Sequence, residues 1–320
     1  MASTGLRNAA LVVLGAVVAG LGAVTYLYQR DIQQARDFIS SGSRIAQTPC
    51  GPIEYAVAGD GPPVLVVHGA GGGFDQGMDF GRPLAERGFR VIAMSRFGYL
   101  RTPLPADASP AAQADAHACL LDALGIQRAA ITGASAGAPS SLQFALRHPK
   151  RINALVLLVP VVYVPRPDGA PSVTVPRGTE FMVDMGLRSD FLFWTASRLA
   201  RQTVTRALLA TPTAVVENAS AGEQARVRQM LDRILPVSER RHGLINDAAV
   251  IPALRRYELE RITTPTLTIS VADDLFGTYD SARYTAGQIR GARFVGYASG
   301  GHLWVGHQQD VLNEIARFLK

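Results

Sequence analysis

The sequence predicts an α/β fold built on a mostly parallel, doubly wound sheet, and three observations carry that prediction. Short, largely apolar runs recur along the chain: PPVLVVHG, FRVIAMS, RAAITGA and INALVLLVPVVYV, with the pattern resuming near the end at PTLTISVAD. Runs of this kind suit strands covered on both faces. Between them lie helical patterns such as SPAAQADAHACLLDALG, in which Cys119, Leu120, Leu121 and Leu124 fall at helical spacing. Strands alternating with helices imply parallel pairing through helical crossovers. The third observation is an interruption. From about Arg166 to Thr263 no buried strand appears, and helical patterns with Pro and Gly between them take over.

The first element is the N-terminal stretch AALVVLGAVVAGLGAVTYLY. Ala9 to Tyr28 holds no charged residue, and at 1.5 Å per residue it reaches across a hydrocarbon core about 30 Å thick. Arg7 precedes it, and Tyr26 and Tyr28 stand at its far end as interfacial aromatics do. An uncleaved membrane anchor is the expectation, with the rest of the chain outside the cytoplasm. A signal peptide cut near Val17-Val18-Ala19, giving a secreted protein, is the alternative. The following QRDIQQARDFISSGS reads as a polar linker, so the core is expected to fold without residues before Gln34.

SRIAQT and PIEYAVAG come next and look like paired strands, after which the buried strands begin. The domain expectation is therefore 1–35 for anchor or signal segment and linker, and 36–165 for the first part of the core. A helical lid over 166–263, inserted after the sixth strand at the C-terminal edge of the sheet, and 264–320 for the rest of the core complete it. Within the lid, SDFLFWTASRLARQTVTRALL and AGEQARVRQMLDRIL carry the strongest helical patterns. ARFVGYAS and QDVLNEIARFLK give a last strand and a closing helix.

Composition narrows the function. The 320 residues carry a formal charge of +6, and 48% are apolar, which fits a packed globular chain. The arginines are scattered among acidic residues and form no basic run, so no nucleic-acid partner is expected. Cys50 and Cys119 show no metal-type spacing. Two buried or half-buried thiols are expected, with a disulfide possible outside the cytosol.

The chemistry begins at Gly133-Ala134-Ser135-Ala136-Gly137, a G-x-S-x-G between the strand RAAITGA and a helix. A serine there stands on a sharp strand-to-helix turn, and only tiny neighbours avoid a collision with the strand and the helix. Its Oγ is exposed beside a helix N-terminus, where free N–H groups favour negative charge. Upstream, VLVVHGAGGGFD ends a strand in His68-Gly69 and opens a loop with Gly71, Gly72 and Gly73. Backbone bare of side chains can approach a substrate, and the amides of Ala70 and Ala136 are the expected oxyanion pair. His68 is expected to hold that loop through backbone hydrogen bonds, because a catalytic base should follow the serine.

That chain order, serine then acid then histidine, leads to TISVADDLFG and YASGGHLWVGH. Asp273 and Asp274 end one strand, and His302 follows another. Gly300 and Gly301 free the backbone to turn the His302 ring inward. His307 falls on the lead-in to the closing helix, and His117, His148 and His242 read as surface or helix residues.

With its serine elbow, His-Gly loop, late acid and Gly-Gly-His in order, the sequence resembles an α/β-hydrolase with a helical lid, from about Ile45 onward. The resemblance implies G-x-x-D after the penultimate strand, with the acid fourth. Val271 occupies the glycine position, which makes Asp274 the acid and Asp273 a flanking residue. The chain departs from the family again at Ser95, where relatives commonly carry Asp. Relatives that open epoxides or haloalkanes use Asp where this chain has Ser135, so those reactions are not expected.

The expected function is hydrolysis of a carboxylic ester: His302 takes the proton of Ser135, Asp274 orients the ring, and an acyl-enzyme forms and is hydrolysed. No metal or cofactor is called for. Rivals on the same triad are carbon–carbon bond hydrolysis, lactone opening and acyl transfer. A ligand-binding protein with the same fold is the non-enzymatic alternative. Beyond the membrane, the expected partner is a small, apolar acyl substrate. Phe181, Met182, Met185, Phe191, Phe193 and Trp194 are candidates to line its pocket, although the lid's own core is the simpler destination for them.

Overall fold

Period-two burial organises the sheet. In β3 (Pro63–Val67), Leu65 and Val67 face one core cluster while Val64 and Val66 face another. Ile92 and Met94 against Val91 and Ala93 repeat this in β4 (Arg90–Met94). With both faces buried, an alternating strand favours apolar residues on both sides, and that is why these two strands read as continuous runs.

The computed structural model describes residues 2–165 and 186–320. Its eight strands follow the order β1-β2-β4-β3-β5-β6-β7-β8. The remaining strands are β1 (Arg44–Thr48), β2 (Gly51–Ala58), β5 (Ala129–Ala134), β6 (Ile152–Leu158), β7 (Thr266–Val271) and β8 (Arg293–Tyr297). β1 and β2 pair antiparallel, β2 meets β4 antiparallel, and every other pairing is parallel. One face is covered by α3 (Pro110–Ala123) and α4 (Ala138–Arg147), the other by α2 (Phe74–Ala85) and the closing helix, α11 (Gln308–Leu319). α10 (Thr278–Gln288) connects β7 to β8.

Between β6 and β7 the described residues form helices and no strand: α5 (Asp190–Leu199), α6 (Arg201–Leu208), α7 (Thr213–Glu217), α8 (Ala221–Asp232) and α9 (Arg241–Val250). The long pattern SDFLFWTASRLARQTVTRALL is two helices, broken at Ala200. The segment has its own core of Leu209, Val227, Met230, Leu231, Ile234 and Val237, which takes in Leu303 and Val305 from the other end of the chain.

Two expectations change. The first concerns the supposed linker. α1 runs unbroken from Ala2 to Ser41, and its second half is packed against the inserted helices. Ile32 is buried with Trp194 and Leu235, the indole Nε1 of Trp194 donates to Asp31 at 2.9 Å, and Arg198 donates to the same carboxylate at 2.6 Å. One helix face can bury Ile32 while the other residues stay wet, so a mostly polar stretch need not be a tether. The first half, from Arg7 to Tyr26, is exposed. The helix is long and apolar enough there to cross a membrane.

The second concerns the cysteines, which are bonded to each other with Cα atoms 6.1 Å apart. The bridge ties the β1–β2 turn to α3, bringing together residues separated by 69 positions. Spacing in the sequence could not show this, because only the packing of α3 beside β1 sets that distance.

Candidate functional site

Ser135 follows the last residue of β5 and adopts φ 49°. A non-glycine residue in this region is strained by about 1–3 kcal/mol and persists only where its surroundings hold it. Here the neighbours are locked by close approach. A Cβ on Gly137 would lie 2.6 Å from the carbonyl oxygens of both Val67 and His68, and one on Gly133 would lie 2.3 Å from Ser141 Oγ. The small residues around the serine are therefore what lets β5 turn into α4 directly beneath β3. Pro139 sits in the first turn of α4, where it removes no helical hydrogen bond. Ser135 is half-buried and Ala136 buried.

Opposite stands the loop after β3, close enough that a Cβ on Gly69 would come within 3.1 Å of Ser135 Cβ. Ala70 is exposed at this loop. Gly71 takes φ 71°, and its N–H points to the Tyr99 hydroxyl at 3.3 Å. The N–H of Gly69 donates to Gln76 Oε1 at 2.9 Å.

His68 is fully buried and holds this loop, as expected of it. Arg96 N–H donates to His68 Nε2 at 2.8 Å, so the ring proton sits on Nδ1 and reaches Gly69 O at 2.7 Å. Burial and then the nearby Arg96 charge push the His68 pKa well below its ordinary value. It is a neutral structural imidazole.

Asp274 and His302 come from the loops after β7 and β8, at the same carboxyl edge of the sheet. His302 Nδ1 lies 2.7 Å from Asp274 Oδ2, and both residues are buried. The other carboxylate oxygen accepts from Phe276 N–H at 2.9 Å, and the Thr278 hydroxyl also donates to Asp274 Oδ2. With Nδ1 committed to the carboxylate, His302 Nε2 is left as the basic atom. Phe276 packs edge-on against the His302 ring, with centroids 5.0 Å apart. No hydrogen bond among the described residues reaches Ser135 Oγ.

Asp273 has a different task. It accepts from Gly301 N–H at 2.7 Å and from Ser299 Oγ at 2.8 Å. It thereby pins the turn in which Gly300 and Gly301 take φ 141° and 61° and aim His302. His307 lies at the N-terminal cap of α11, as expected, with its Nε2 2.9 Å from Ser299 O. His117, read as a surface or helix residue, is a helix residue on α3 and is buried, beside Ser140 at 3.1 Å. Burial lowers its pKa to about 3.

Sequence reasoning missed the pairs that bind the helical insertion to this loop. Arg96, just after β4, meets Asp247 of α9 in a two-pronged ion pair of 2.8 and 2.6 Å. Tyr99 donates to the same carboxylate at 2.5 Å. Burial opposes the Arg96 charge, but the Asp247 carboxylate outweighs it and raises the guanidinium pKa. Tyr99 is raised well above its usual value by burial and then by Asp247. Arg240 is wholly buried, paired with Asp75 at 2.6 Å and bonded to Gly72 O at 2.6 Å. Arg96 follows a strand end and was open to notice. Nothing local marks Asp247 or Arg240.

The departure at Ser95 is also explained. Its hydroxyl donates to Glu54 Oε2 at 2.8 Å and accepts from Phe74 N–H at 3.0 Å. The carboxylate is supplied from β2 instead, with Arg101 bonded to Glu54 at 2.7 Å. Of the aromatic candidates, Phe193 packs into the insertion's core and Trp194 against Ile32 of α1 and Leu235, while Phe191 is 41% exposed. Phe181, Met182 and Met185 lie outside the described residues.

Comparison with known proteins agrees with this architecture. The alpha/beta hydrolase fold family matches residues 62–305. A solved alpha/beta hydrolase fold protein from Nakamurella multipartita is 31% identical with a TM-score of 0.69, covering 87% of this chain and 99% of its own. The enol-lactonase from Burkholderia xenovorans LB400 is 22% identical with a TM-score of 0.64, covering 86% and 99%, and at that identity it speaks for the fold alone. A 2-hydroxy-6-oxo-6-phenylhexa-2,4-dienoate hydrolase from Comamonas testosteroni is 33% identical over 113 residues, 34% of this chain and 40% of its own. The chain thus spans less than half the length of the curated relatives it matches. A family match across most of the sheet and a strained serine at the β5 turn lead to one conclusion: this chain belongs to the α/β hydrolase fold family.

Proposed function

We propose that the protein is a serine hydrolase that cleaves a carboxylic ester through Ser135, His302 and Asp274. The observation that carries this is the buried His302–Asp274 bond at the edge of the sheet where Ser135 stands strained on its turn. In this reading His302 Nε2 accepts the serine proton as Oγ attacks the carbonyl carbon. The imidazolium formed is stabilised by Asp274, and the oxyanion is received by the N–H groups of Ala70 and Ala136. Ala70 suits that part, since no hydrogen bond among the described residues takes its N–H. Collapse of the tetrahedral species expels the alcohol, which takes the proton from His302. Water, activated by the same ring, then releases the acid. The helical insertion serves as a lid, tied down by the Arg96–Asp247 and Arg240–Asp75 pairs. α1 anchors the protein in a membrane, with the bonded cysteines favouring an oxidising compartment for the catalytic domain.

The Comamonas testosteroni relative supports carbon–carbon bond hydrolysis as a second reading on the same residues. One set of assays separates the two. Ser135 should be labelled by a fluorophosphonate, and Ser135→Ala should lose labelling with the fold intact. Graded p-nitrophenyl esters should be turned over in preference to a vinylogous 1,5-diketone acid. Preference for the diketone would favour the second reading, and labelling that persists in Ser135→Ala would refute both.

A further inference from the structure

α1 and α5 are arranged in a way that a water-soluble surface does not explain. α5 crosses α1 within the stretch Tyr28–Arg36. Its first residues meet both ends of that stretch, with Phe191 against Tyr28 at a centroid distance of 5.1 Å and Asp190 beside Arg36 at 3.6 Å. Its far end returns to the middle, where Arg198 donates to Asp31 at 2.6 Å. Trp194 is caught between, edge-on to Tyr28 and bonded to Asp31. These contacts fix α5 at the level where the apolar half of α1 ends.

α5 turns bulky apolar residues outward. Asp190 and Ser197 are buried and the exposed Arg198 is held by Asp31, whereas Phe191, Leu192 and Leu199 are 41%, 50% and 85% exposed. At about 100° per residue, positions 191, 192 and 199 share one side of the helix. We propose that this side of α5 rests on the surface of the lipid bilayer that α1 enters, seating the helical insertion against the membrane. The inference rests on the reading of α1 as a membrane anchor. The occupant is a lipid surface because the exposed side of α5 is continuous, through the Tyr28–Phe191 contact, with the exposed apolar stretch from Arg7 to Tyr26. Tyr28 also stands where an interfacial aromatic belongs. An amphipathic helix with bulky apolar residues on its free side buries that side among headgroups and upper acyl chains.

The test uses the full-length protein reconstituted in phosphatidylcholine vesicles, with single cysteines placed at Leu192→Cys, Leu199→Cys, Val18→Cys and Lys150→Cys and labelled with NBD. Lipids carrying nitroxides at shallow and deep positions serve as quenchers. We expect residues 192 and 199 to be quenched at least severalfold more by shallow nitroxides than residue 150, and residue 18 to be quenched by deep ones. Quenching at 18 with water-like emission at 192 and 199 would overturn the proposal and leave the anchor standing. Absence of quenching at 18 would overturn the anchor and the proposal with it. A blue shift at 192 and 199 that ignores lipid nitroxides and rises with protein concentration would assign the face to a second copy of the chain, and would also overturn it.

Discussion

Replacing Asp274 with Asn tests the site most sharply, because the two side chains have the same shape and opposite bonding capacity on one side. Both oxygens of Asp274 are acceptors: Oδ1 for Phe276 N–H at 2.9 Å, Oδ2 for His302 Nδ1 at 2.7 Å and for the Thr278 hydroxyl. An asparagine that keeps its oxygen on Phe276 N–H turns its NH₂ toward His302 Nδ1. The ring must then accept there and carry its proton on Nε2, where it cannot take one from serine. The opposite flip restores the useful tautomer but sets NH₂ against the Phe276 N–H, which costs about 1–3 kcal/mol. That alone disfavours the productive orientation by about fivefold to 150-fold. Loss of the carboxylate charge beneath the imidazolium adds to it, and the same change in serine proteases costs about 10⁴ in kcat, or about 5.5 kcal/mol. The assay is kcat/KM for a p-nitrophenyl ester across pH 6–9, with circular dichroism to show that Asp274→Asn is folded. Asp273→Asn is the control, since an amide can keep its oxygen on Gly301 N–H and offer NH₂ to Ser299; its loss should stay below about tenfold. The reasoning is refuted if Asp273→Asn is the more damaged variant, or if Asp274→Asn keeps over a tenth of the activity with an unchanged pH profile.

Three further outcomes are expected. Arg240→Met strands the wholly buried Asp75 carboxylate and should cost about 3–5 kcal/mol in denaturant unfolding, partly recovered by adding Asp75→Leu; a loss under 1 kcal/mol would contradict this. Cys50→Ser/Cys119→Ser opens a bridge spanning 69 positions, for which the loop-entropy relation gives about 4 kcal/mol; a Tm insensitive both to this change and to reductant would show the bridge to be idle. His117 titrates at about 3 in the folded protein against about 6.5 unfolded. Below pH 6.5 the unfolded chain therefore binds more protons, and stability falls with acidification down to about pH 3, by up to about 1.4 kcal/mol per pH unit from this residue. His68 acts in the same direction. Urea midpoints from pH 8 to 4 should decline accordingly and less steeply in His117→Gln, and equal slopes in the two proteins would refute the assignment.

The sequence by itself determined the sheet. Strands buried on both faces carry apolar side chains with a few small hydroxyls such as Thr268 and Ser270 of β7, so PPVLVVHG and its counterparts are legible from residue type alone, and each forms a strand. The serine turn is legible for a related reason. Gly133 and Gly137 are small because other backbone and side-chain atoms lie where their Cβ would be, and that demand is written in five consecutive positions. Asp274 and His302 are reachable through chain order, although the choice between Asp273 and Asp274 leans on family spacing. Their separate hydrogen-bond partners in the fold distinguish the two aspartates.

Only the tertiary structure decided what depends on distant residues meeting. The Cys50–Cys119 bridge, the Arg96–Asp247 pair across 151 positions and the Arg240–Asp75 pair across 165 leave no periodic trace, because each is a single side chain finding one partner. QRDIQQARDFISSGS misleads for the same reason. Its polarity is that of a helix with one narrow buried stripe at Ile32, and whether such a stripe finds a partner depends on Trp194 and Leu235, more than 160 residues away.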